Sequence, residues 1–169
     1  MHEPATRPPR YSGLPLPARR YRPGRGRHPA RDAGRPAYAT PEDPPAIDPE
    51  RWSSCEPYLH AIDLFNHGYF WESHEALEGL WRRAGRASAM GIFLQALILV
   101  SAALLKHSMG ELSGARRLAS RGCATLRATP GVRLGIEASR LAEQIAATVG
   151  GRAPRAPAIE LVGVEPWQT

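Results

Sequence analysis

Residues 65–82 read Phe65-Asn66-His67-Gly68-Tyr69-Phe70-Trp71-Glu72-Ser73-His74-Glu75-Ala76-Leu77-Glu78-Gly79-Leu80-Trp81-Arg82. The fold turns on how this stretch divides. Gly68 is placed to end one helix, and the run after it is placed to start another. Upstream, Tyr58, Ile62 and Phe65 fall at i, i+4, i+7, the spacing of a buried helical stripe. That first helix begins near Trp52. Ser53 and Ser54 are N-cap candidates, Glu56 suits the first turn, and Pro57 is tolerated there. The second helix spans about Tyr69 to Arg83 and is closed by Gly85.

Downstream, Ser88 caps a third helix over about Ala89 to Ser108. Its interior from Met90 to Leu105 is apolar apart from Gln95 and Ser101. Sixteen residues fall short of the ~20 that span a bilayer, so the expectation is the central helix of a bundle, with no membrane partner. After Gly110 a fourth helix runs from about Leu112 to Ala128, with Ala115, Leu118, Ala119 and Leu126 facing inward. Thr129-Pro130-Gly131 breaks the chain, and a fifth helix is expected from Val132 to Val149. No segment alternates strongly, although Ile159-Glu160-Leu161-Val162 suits a short extended piece. The predicted fold is all-α, a compact bundle of about five helices over residues 51–150.

The flanks differ in composition. Residues 1–49 hold twelve of the seventeen prolines, and residues 1–45 hold nine arginines against four acids. Most of the net charge of +6 therefore lies in this segment. It buries too little apolar surface to offset its ordering entropy, so residues 1–50 are expected to be a disordered tail. A weak, non-specific contact with nucleic acid through phosphate neutralisation is the partner such a tail offers. Residues 151–169 are expected to be irregular. Twenty-one arginines and one lysine, Lys106, are the balance expected from a GC-rich genome, and the expected source is a bacterium. Cys55 and Cys123 have no metal or disulfide spacing, and the N-terminus has no apolar signal core; both point to the cytoplasm.

The chemistry is concentrated in the second helix. At 100° per residue, Phe70, His74, Leu77, Glu78 and Trp81 share one face, predicted to be the inner one. Glu72 and Gly79 point away, and Glu75 and Arg82 lie at the margin. His74 and Glu78 stand one turn apart, as paired metal ligands do on a helix. Three readings stay open: a divalent metal site, a structural polar network, and a metal-free acid/base pair. With a metal, the reaction class is assisted hydrolysis, with Glu75 or Glu72 as base. Further lining is expected from Asn66, Gln95 and His107. His60, Asp63 and His67 also have ligand spacing, but they fall opposite the apolar stripe and read as solvated surface. A spare face on so apolar a third helix would suit a homodimer.

The run Phe65-Asn66-x-Gly68-x-Phe70-x-Glu72-x-His74-Glu75-x-Leu77-Glu78-x-x-Trp81 resembles the hallmark of the DUF309 family, small bacterial and archaeal proteins of unknown function. Phe93-Leu94-Gln95, Leu104-Leu105-Lys106-His107 and Gly114-Ala115 resemble its later blocks. The resemblance implies an all-helical domain and a metal at His74 and Glu78. Leu99 stands where the family often has a second glutamine, Glu111 where it has an asparagine, and Trp71 replaces a phenylalanine.

Overall fold

A computed structural model describes residues 7–24 and 43–167. Five helices carry the fold: α1 (Glu56–Asn66), α2 (Phe70–Ala84), α3 (Ala89–Ser108), α4 (Leu112–Ala128) and α5 (Ala138–Val149). The all-α expectation stands, with α3 and α4 starting and ending where the sequence places them. Gly68, at φ 76°, closes α1, and Ser88 caps α3 by accepting the Gly91 N–H at 2.9 Å. A 3-10 turn at Trp52–Ser54 precedes α1, whose N-cap is Cys55 rather than either serine.

Consecutive helices pack on one another, and α3 touches α2, α4 and α5. By length and composition α3 could cross a membrane. Here it is the core helix, burying Phe93, Leu94, Leu97, Val100 and Leu104. One stripe stays open along it, through Ile92, Gln95, Leu99 and Ala102. Gln95 is exposed, so it needs no interior partner.

The fifth helix is shorter than expected. Val132–Arg133 (β1) and Ile136–Glu137 (β2) pair antiparallel in a small hairpin, and α5 starts only at Ala138. Leu134 and Gly135 both have positive φ, 48° and 75°, which is the two-residue turn suited to a twisted hairpin. The Tyr58 hydroxyl, fully buried, donates to Leu134 O at 2.8 Å and fastens this hairpin to α1.

The flanks add contacts that the sequence did not announce. Residues 7–24 contain no helix, yet they run across α1 as a strap, burying Tyr11 and Ser12. The remaining parts of the expected disordered tail, residues 1–6 and 25–42, lie outside the described residues. Residues 151–167 carry no helix or strand, and they too lie against the bundle. Ile159 and Leu161 are buried while Glu160 and Val162 are exposed, the alternation of an extended segment. Leu161 N–H donates to the Tyr11 hydroxyl at 2.9 Å, and Trp167 N–H to Arg10 O at 2.5 Å, so the two tails hold each other.

Candidate functional site

Asp63 lies on the α1 face that the sequence assigned to solvent, and it is fully buried. Its Oδ1 accepts the Tyr11 N–H at 2.6 Å, and Oδ2 accepts both the N–H and the hydroxyl of Ser12 at 2.9 and 2.7 Å. The Arg10 Nε stands 3.7 Å from Oδ2. His60, also fully buried, brings Nδ1 within 3.4 Å of the Ser12 hydroxyl oxygen. One turn on, Asn66 does not line the α2 cluster. Its amide donates to Pro9 O and Ile159 O and accepts the Ile159 N–H at 2.6 Å. These groups are buried because the strap supplies donors matched to the carboxylate. Apolar residues inside the arginine- and proline-rich tail, Tyr11 above all, were the available signal for docking.

The same covering turns α2. Its buried residues are Glu72, Ser73, Ala76, Leu77, Gly79 and Leu80. That face is rotated by roughly 120° from the predicted one at 100° per residue. Glu72 and Gly79, expected to face water, are covered by tail segments. Tyr21 N–H donates to Glu72 Oε1 at 2.8 Å, and the Tyr21 ring stands edge-on to Trp71 with centroids 4.7 Å apart. Pro44 packs over Gly79. Burial raises the Glu72 pKa, opposed by the Tyr21 N–H, its own N–H and the Arg20 charge. A carboxyl with a raised folded pKa stabilises the fold below its ordinary range and loses that contribution as pH rises through the folded value. Relative to wild type, Glu72→Gln is therefore expected to gain stability from acidic to neutral pH, read from denaturant midpoints across that range. A flat difference would mean the carboxyl is not perturbed.

Phe70, His74, Glu78 and Trp81, predicted to point inward, are only partly buried and form an open stripe. Phe70 meets Phe65 edge-on at 5.7 Å, and the Arg86 guanidinium lies 5.0 Å from the centre of the Trp81 ring. Along this stripe His74, Glu75 and Glu78 bring one ligand atom each within 4.8 Å of one another. His74 Nδ1 is 3.4 Å from Glu75 Oε1. A tetrahedral cation with bonds of about 2.1 Å sets its ligand atoms roughly 3.4 Å apart, so modest side-chain rotation closes the set. Glu75, exposed, thus joins the cluster as a third donor, while Glu72 is turned away from it under the strap. His107 is half-buried at the end of α3 and does not belong to the cluster.

Comparison with known families places residues 58–118, from α1 into α4, on the model described as "Domain of unknown function (DUF309)". Residues 58–118 are thus similar to DUF309. The matched segment contains α2 with its three clustered donors and the buried Asp63 and Asn66. The strap, the hairpin and α5 lie outside it. A search of curated proteins found no match to the chain.

Proposed function

We propose that the DUF309-like domain of this protein binds a divalent cation through His74, Glu75 and Glu78, leaving the remaining coordination positions to water. The observation that carries this reading is the convergence of three donors of suitable type on one open stripe of α2. One imidazole and two carboxylates form a borderline donor set that suits zinc or manganese. Open positions on such an ion supply a water of lowered pKa, the usual nucleophile of metal-assisted hydrolysis. With an ion held there, Glu75, the exposed carboxylate of the three, would be the base beside the activated water, whereas Glu72 lies under the strap.

The test is calorimetric titration of the metal-depleted, untagged full chain with zinc and with manganese. One cation per chain is expected. His74→Ala should weaken binding by more than the roughly 10–100-fold that loss of a mere supporting contact produces. Because His74 is partly exposed, its replacement should leave the melting temperature in chelator unchanged. Equal affinity in wild type and variant, or no saturable uptake, would reject the site.

The other reading, a structural polar network through His74, Glu78 and Gln95, loses its premise because these side chains are not sealed in the core. The buried polar contacts on α1 link Ser12, His60 and Asp63, while Asn66 bonds separately to Pro9 and Ile159.

A further inference from the structure

A cavity of about 380 Å³ opens between the β1–β2 hairpin, the first turn of α3, the 3-10 turn before α1 and the C-terminal segment. Trp52, Met90, Val132, Leu134 and Val162 give it an apolar wall, and Arg133 is the one charged residue among its described lining. Volumes of this order hold small organic ligands. Val132 and Val162 keep 51% and 50% of their surface in water, so apolar area at the cavity stays uncovered.

The walls are fixed by contacts within the fold. The Tyr58 hydroxyl holds Leu134 O, and the Tyr58 ring stands edge-on to Trp52 with centroids 6.1 Å apart. A Cβ on Gly135 would come within 2.3 Å of the Trp52 ring, so only glycine lets the indole lie directly on the hairpin turn. Val162 N–H donates to Gly135 O at 2.8 Å and pins the C-terminal side.

Arg133 has no comparable anchor. Its Nε is sealed from water without an acceptor, and its guanidinium meets only the Phe93 ring, 5.9 Å from the centroid. Of the acids on adjoining segments, Asp48 is paired with Arg51 and Glu137 with Arg140. Glu50 and Glu160 are exposed, and no acid lines the cavity among the described residues. An unpaired donor held away from water costs stability, which one ring contact at that distance offsets only in part.

We infer that this cavity binds a small carboxylic acid with an apolar body. The carboxylate is held by the Arg133 guanidinium, and the carbon skeleton lies against Trp52, Met90 and the two valines. A planar guanidinium matches a carboxylate in a two-bond fork. One arginine also balances a carboxylate's single charge, whereas a phosphoryl group at about −1.5 to −2 would stay undercompensated. No residue of α2 lines the cavity, so this inference is independent of the cation site.

The test is calorimetric titration of octanoate into the full chain in EDTA at neutral pH and constant ionic strength. One octanoate per chain is expected. Arg133→Met keeps the aliphatic stem over Phe93 and removes the guanidinium, so it should weaken binding roughly tenfold or more and melt no lower than wild type. Octanamide, which lacks the charge, and propionate, which lacks most of the apolar body, should each bind roughly tenfold or more weakly than octanoate. No saturable uptake, octanoate binding unchanged in Arg133→Met, or octanamide binding as tightly as octanoate overturns the proposal. So does inorganic phosphate binding more tightly than octanoate. A marked drop in the melting temperature of Arg133→Met would make the arginine a structural residue and overturn it as well.

Discussion

Asp63→Ala should lower the unfolding free energy by roughly 3–5 kcal/mol, the range for removing one partner of a buried charged pair. The carboxylate, at zero exposure, accepts three hydrogen bonds from the buried Tyr11 and Ser12 and faces the part-exposed Arg10. Without it, two backbone N–H groups and one hydroxyl lose their acceptor inside the protein, at about 1–3 kcal/mol each if they stay buried. The chain can limit this loss only by lifting the strap. Lifting would expose Tyr11 and the C-terminal segment bonded to its hydroxyl. Denaturant unfolding reads the loss of stability, and limited trypsin digestion at Arg19 and Arg20 reads the release of the strap. A variant that unfolds within 1 kcal/mol of wild type, its strap still protected, would show that Asp63 does not anchor the tail.

Gly91→Ala is the second large effect, and its sign opposes helix propensity. Alanine in a helix interior is ordinarily favoured over glycine by about 1 kcal/mol. At Gly91, in the first turn of α3, a Cβ would stand 1.9 Å from Gly85 O and 2.9 Å from its carbonyl carbon. Both are backbone atoms of the residue that ends α2, and neither can rotate away. The same carbonyl accepts the Ser88 hydroxyl, so displacing it also disturbs the cap of α3. The connection between α2 and α3 must open, with a loss of about 1–3 kcal/mol or more, as for overpacked cores. Chemical denaturation would decide; an alanine variant as stable as wild type would mean that the close approach does not exist in solution.

The first effect falls where the sequence was hardest to read. Helix ends were legible because they are set locally. Gly68 and Gly85 close the first two helices, Ser88 caps the third, and Gly110 separates it from the fourth. The exception, α5, also has a local cause. Leu134 takes a positive φ that a branched apolar residue seldom adopts, and this allows a hairpin where helical periodicity seemed to continue. The three donors of the candidate site were likewise visible in the residues, since His74, Glu75 and Glu78 are close by helical geometry alone. Their exposure was not.

By itself the sequence determined an all-helical domain, four of its five helix starts to within a few residues, and the donors along α2. Only the tertiary structure decided which way the helices face. A wheel weighs each helix by its own apolar residues and treats polar side chains as outward. Here two proline-rich flanks cover the polar sides of α1 and α2. Asp63 and Glu72 go inside because backbone N–H groups of distant segments donate to them, and His60 goes inside beside the Ser12 hydroxyl. The Phe70–His74–Glu78–Trp81 stripe, which the wheel turned inward, is left open along the bundle surface. Contacts spanning some fifty residues of chain have no periodicity to announce them, so the strap that turns α2 could be read only once the chain was folded.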